Sequence, residues 1–158
     1  MRSEKGLNMT EVLFYHLQRQ PIERVPPAML EKSLERGWKV IVQASSEERV
    51  DALDAHLWSY RDDSFLAHGT YRENEAAMQP VLLTVHDHNP NSATVRFLID
   101  GVGVPVDAAS YQRIVLMFDG EDDEAVAAAR IHWTQAKSQG FEATYWQADE
   151  NGRWTKKA

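Results

Sequence analysis

The 158-residue chain contains no cysteine. That excludes disulfide staples, cysteine-ligated zinc, iron–sulfur clusters and a thiol nucleophile, and it fits a reducing, cytoplasmic setting. No apolar run approaches the roughly 18 residues that a membrane-spanning helix needs, and no signal-peptide pattern opens the chain. A Gly-rich phosphate turn is missing as well. The first apolar run leads into His16-Leu17-Gln18-Arg19-Gln20-Pro21, without a glycine, and Gly101-Val102-Gly103 leads into Val104-Pro105 instead of a helix. Nothing here offers a nucleotide's phosphates the close backbone N–H groups they need. Gly-x-Ser-x-Gly, the nucleophile elbow, is also absent. Positive charge is in short supply: 17 Lys and Arg stand against 24 Asp and Glu, a formal net charge of −7. Such a surface is poorly suited to gripping a phosphate backbone over a wide face.

What is present suffices for one α/β domain. The apolar fraction of 43% is ordinary for a globular protein. Residues 1–8 read as a disordered arm, an expression remnant or an upstream start. Residues 9–148 read as the domain, and residues 149–158 as a polar, mobile tail. Val12 to His16 reads as a strand. Pro26-Pro27 opens a helix through Met29, Leu30, Ser33 and Leu34 that Gly37 stops. Trp38 to Gln43 is a second strand. Ser45-Ser46-Glu47-Glu48 reads as a capping box, opening a helix that reaches Trp58. This alternation predicts a parallel sheet covered on both faces. After a long connection, Ser59 to Pro80, strands are expected at 81–85, 94–99 and 111–118. A helix from Glu121 to Gln139, ended by Gly140, precedes a last strand at 141–147.

Four clusters carry possible chemistry, each with a plainer reading beside it. His86 and His88 are two apart, so on a strand they share a face, as a metal fragment requires; before Asn89-Pro90 they also suit a solvated turn. Asp119, Glu121, Asp122, Asp123 and Glu124 stand after a parallel strand, where acids can hold Mg²⁺. Carboxylates in a first helical turn are equally favoured by the macrodipole. Arg130, Trp133 and Lys137 lie at i, i+3 and i+7 on one helix face. An indole beside a bidentate donor suits an aromatic side chain plus a carboxylate, the chemistry of an acidic peptide terminus. The same spacing suits a Trp half-buried on the sheet with its Arg and Lys solvated. Trp58, with Tyr60, Phe65 and Leu66, forms either an exposed anchor patch or aromatics folded onto the core.

Several strings in order resemble one family. They are Val12-Leu13-Phe14-Tyr15, Gly37-Trp38-Lys39-Val40, Leu53-Asp54-Ala55-His56-Leu57-Trp58, Asp63-Ser64-Phe65-Leu66-Ala67-His68, and Arg130…Trp133…Lys137 with Gly140-Phe141. Over residues 9–147 the chain resembles the chi subunit of bacterial DNA polymerase III, an accessory protein of the clamp loader. The resemblance implies a mostly parallel, Rossmann-like sheet with no nucleotide site, no catalytic residues, no metal and no cofactor. It also implies a bridging role in the cytoplasm. Chi-like proteins bind the acidic, Phe-ending C-terminal tail of single-stranded-DNA-binding protein (SSB), and the small psi subunit where it is present. DNA is then met only indirectly. By position Arg130 matches the family's tail-binding arginine, with Trp133 at an aromatic position and Lys137 beyond it. Val126 departs from the pattern, standing where the family can carry a basic residue. Trp58 and Phe65 match the psi-side surface. The competing reading is a small metal- or nucleotide-dependent α/β enzyme using His86, His88 and the acids near Asp119.

Overall fold

A computed structural model of the protein describes residues 10–18, 26–59, 66–148 and 153–158. The strands are β1 (Glu11–Leu17), β2 (Val40–Gln43), β3 (Gly69–Thr70), β4 (Val81–Thr84), β5 (Val95–Leu98), β6 (Arg113–Asp119), β7 (Glu142–Ala148) and β8 (Trp154–Lys156). The helices are α1 (Pro26–Glu35), α2 (Glu47–Ser59) and α3 (Asp123–Ser138). One sheet runs in the order β3-β4-β2-β5-β6-β1-β7-β8. Every pairing is parallel except β7 with β8. The first strand thus ends up between β6 and β7, held on both sides.

Parallel strands covered on both faces must be apolar on both, and these are. Alternate residues divide cleanly. Leu17, Val40, Val42, Val95, Phe97, Val115 and Met117 pack with Leu30 of α1 and with Val50, Leu53 and Leu57 of α2. Val12, Phe14, Ile41, Leu82, Leu98, Ile114 and Leu116 face the other way, toward Ala129 and Ala136 of α3. Among the described residues two helices therefore cover one face and one helix the other.

The helix ends are built locally. Gly37 and Gly140 have φ of +79° and +85°, the left-handed geometry that glycine takes without a Cβ penalty. Each closes a Schellman motif. Gly37 and Trp38 donate back to the carbonyls of Leu34 and Ser33, and Gly140 and Phe141 to those of Lys137 and Ala136. At the start of α2 the expected capping box is half made: Ser46 Oγ accepts the Arg49 N–H at 3.2 Å. The N3 residue is Arg49, so no Glu returns the bond.

Two segments depart from the sequence reading: within the long connection Gly69 and Thr70 form the edge strand β3 against β4, and the C-terminus does so as well. The C-terminal tail, expected to be mobile, contributes β8. Trp154 to Lys156 pair with Ala148 to Trp146, and the Trp154 ring lies 4.7 Å from that of Tyr15. Burying an indole against a tyrosine offsets the entropy cost of ordering a short polar segment. The expected strand at 94–99 forms as β5, and it carries a fully buried arginine, Arg96, in its middle.

Candidate protein-binding site

α3 places the sequence-predicted residues. Asp122 caps it, its carboxylate accepting N–H bonds from Glu124 and Ala125. The small residues Ala129 and Ala136 are buried and bring the helix close to the sheet. On the flank beside them, Val126, Arg130, Trp133 and Lys137 form one stripe at i, i+4, i+7 and i+11. Val126 and Trp133 are half-buried; Arg130 and Lys137 are exposed.

The Trp133 indole packs edge-on to Phe14 at 5.3 Å and to Tyr145 at 6.1 Å. The Lys137 ammonium sits 5.2 Å from the Trp133 ring centre, a cation–π contact. Trp133 is therefore both core and surface, with one edge seated on the sheet. Beneath Trp133 lies Tyr145 of β7, a residue that carries no motif in the sequence. Burial raises the Tyr145 hydroxyl above its ordinary pKa, and the positive charge of Arg130 draws it back down. Trp133 thus packs on Tyr145, whose hydroxyl also feels the charge of Arg130.

Tyr145 is itself braced from behind. His16, at the carboxyl end of β1, lies with Nδ1 2.5 Å from the Tyr145 hydroxyl and packs edge-on to Phe118 at 5.2 Å. Burial lowers the pKa of His16 and the charge of Asp119 pulls it partly back. Gly120 makes the space: a Cβ there would lie 1.8 Å from His16 Nε2. Neither Tyr145 nor His16 carries a local signal, because each looks like an ordinary strand residue.

Trp58 is at the opposite helix layer, near the end of α2, and is 55% exposed. Its ring lies 4.5 Å from that of His68, tilted by 48°. The buried His68 donates from Nδ1 to the Leu66 carbonyl at 2.7 Å. Its Nε2 is 3.0 Å from the Asp54 carboxylate, near enough for an ion pair but off line for a hydrogen bond. Asp54, Trp58, Leu66 and His68, drawn from two separate strings of the sequence, therefore make one corner. Leu66 belongs to the core. Tyr60 and Phe65 lie outside the described residues.

The crevice beyond the carboxyl ends of the strands is where open α/β sheets commonly bind ligands. Here it is a cleft of about 940 Å³ whose lining includes Glu48, Asp100, Asp119, Asp122 and Glu124. Among the described residues its one lining cation, Arg49, is bound to Asp100 at 3.0 Å. A phosphate would meet repulsion there. Asp122 and Asp119 both spend side-chain oxygens on nearby backbone N–H groups. The His86 and His88 rings stand 5.4 Å apart, and among the described residues no third His, Asp or Glu completes a metal-binding group. Among the described residues no helix is long and apolar enough to cross a membrane.

Compared with known proteins, residues 9–144 match the family model described as DNA polymerase III chi subunit, HolC. The chain is also 24% identical over 121 residues to the "Probable DNA polymerase III subunit chi" of Rickettsia prowazekii (strain Madrid E), covering 70% of this chain and 71% of that one. The matched span runs from β1 into β7 and includes all of α3.

Proposed function

Because this chain belongs to the DNA polymerase III chi subunit family, we propose that it serves replication as a non-catalytic adaptor. It joins the clamp loader to SSB by holding the acidic C-terminal tail of that protein. One observation supports this reading above the others. Arg130 and Lys137 stand exposed on either side of half-buried Trp133 along a single stripe of α3. Among the described residues neither cation is paired with a carboxylate.

The chemistry follows from those three side chains. A guanidinium takes a terminal carboxylate through two parallel N–H bonds. The exposed part of the indole, with Val126 beside it, offers an apolar wall to a terminal phenyl group. Lys137 supplies a point charge for acidic residues further up the tail. Tyr145, braced by His16, keeps the floor of the site in place. The net charge of −7 repels both DNA and acidic peptides at long range. Screening confines that field to about 8 Å at physiological salt, so a local pair of cations prevails at contact. DNA is then reached only through the partner. A psi subunit, in cells that have one, docks through Trp58 at the α2 corner, with Phe65, outside the described residues, as the second residue matched by sequence.

Titration calorimetry with an acidic peptide ending in phenylalanine tests the reading. Arg130→Ala should weaken binding by about ten-fold or more, equivalent to about 1.4 kcal/mol. Since Arg130 is exposed, the variant's thermal midpoint should match that of the parent. Unchanged affinity removes Arg130 from the site.

A further inference from the structure

A second groove lies on the other face of the sheet. It is a cavity of about 360 Å³ between α1, the central strands and β8. Its apolar walls include Leu13 and Tyr15 of β1, Phe97 of β5, Val115 of β6, and the indoles of Trp38 and Trp154. Tyr15, Trp38 and Trp154 belong to the packing on the α1 and α2 side, whereas Trp133 and Tyr145 belong to the α3 side. The thickness of the sheet separates the two sites.

The charge of this groove runs against that of the whole chain. Among the described residues, Lys32, Arg36 and Arg113 line it, and no Asp or Glu does. The Arg36 and Arg113 guanidiniums lie 4.9 Å and 5.3 Å from the Trp38 ring centre. Arg113 is held by Glu11 at 3.0 Å. Lys32 on α1 and Arg36 just past its end are exposed, and among the described residues neither is paired with a carboxylate. A chain with more acids than bases has therefore gathered two unneutralised cations beside three half-buried aromatic rings.

We propose that this groove binds a short acidic peptide segment carrying one aromatic side chain, at a site separate from the α3 face. The volume sits at the low end of the roughly 300–1,000 Å³ typical of ligand pockets. It admits one large side chain and its neighbouring backbone, not a helix. The aromatic side chain lies among Tyr15, Trp38 and Trp154, and flanking carboxylates meet Lys32 and Arg36 at the rim. Single-stranded nucleic acid also stacks on aromatic rings, but it needs a cationic track along its backbone. Two free cations on a net acid do not provide one.

The probe is a fluorescent heptapeptide of six acidic residues around one central phenylalanine, blocked at both ends so that no terminal carboxylate is present. It is titrated against the full-length protein by anisotropy. In the parent protein the peptide binds, and the indole N–H resonances of Trp38 and Trp154 shift while that of Trp133 does not. The double charge reversal Lys32→Glu with Arg36→Glu weakens binding by about ten-fold or more, and Arg130→Ala leaves it unchanged. Replacing the central phenylalanine by alanine weakens it as well. Four results overturn the proposal: no binding by the parent, equal binding by the charge-reversed variant with an unaltered thermal midpoint, loss on Arg130→Ala, or equally effective competition by an oligothymidylate of the same charge. The acidic peptide ending in phenylalanine is the converse control. It responds to Arg130→Ala and not to the α1 variant, so failure at one site is distinguishable from failure at the other.

Discussion

Replacing the buried Arg96 by methionine should cost about 3 kcal/mol of stability. Arg96 is 0% exposed, and all five of its N–H donors are used. Nε and Nη2 donate to Gln43 Oε1 at 3.0 Å and 2.6 Å, and Nη2 also donates to the His86 carbonyl at 2.6 Å. Nη1 donates to the His88 carbonyl at 3.1 Å and to the Tyr111 hydroxyl at 2.9 Å. All of these partners are neutral. Methionine fills much of the volume but strands four acceptors, each costing at least about 1 kcal/mol when left unsatisfied. Removing a buried charge returns part of that, because the guanidinium no longer has to be desolvated. The carbonyls of His86 and His88, near the surface, regain water more easily than Gln43 and Tyr111 do. The net loss is a large share of the roughly 5–15 kcal/mol that a domain possesses. Urea unfolding followed by tryptophan fluorescence measures it. At a slope of about 2 kcal/mol per molar the midpoint falls by roughly 1.5 M. The double variant with Gln43→Leu should recover part of the loss, because it removes the most deeply stranded acceptor. A midpoint for Arg96→Met equal to or above that of the parent would refute the reasoning. It would mean that close packing alone holds β2, β5 and the 86–88 turn together.

Two further outcomes follow from the same geometry. Asp122→Ala removes the N-cap of α3 and should cost about 1 kcal/mol, a fall of about 2–4 °C in Tm by calorimetry; an unchanged Tm would mean that Asp119 or water replaces the cap. His16 has its pKa lowered by burial, with Asp119 opposing, so the fold favours its neutral form. Its contribution is present above the unfolded value near about 6.5 and is lost as pH falls through the lowered folded value. Thermal unfolding from pH 7.5 to about 5.5 should therefore show a steeper decline for the parent than for His16→Gln, whereas parallel declines would exclude His16 as the source.

Residues close in sequence settle much of this protein. Apolar runs bounded by turn residues place most of the strands, since a strand buried on both faces needs little beyond its own side chains to be recognised. The glycines at 37 and 140 mark helix ends because the left-handed backbone of a Schellman motif is a local requirement. The Arg130, Trp133 and Lys137 stripe is legible from helical spacing, and the ordered strings from Val12 to Phe141 point to the family. What depends on distant residues is not legible in this way. β1 lies between β6 and β7, and only that insertion puts His16 against Tyr145 and Phe14 under Trp133. The pairing of Asp54 with His68 spans two strings whose link is a corner of the fold. β8 exists because Tyr15, more than a hundred residues away, offers Trp154 a ring to pack on. Arg96 interrupts an apolar strand, and along the chain that looks like an outward position. Only the convergence of Gln43, Tyr111 and two carbonyls makes it the most deeply buried charge among the described residues. Local order is set by steric preference and periodicity, whereas the floor of a site is set by which strands become neighbours, and no single segment carries that information.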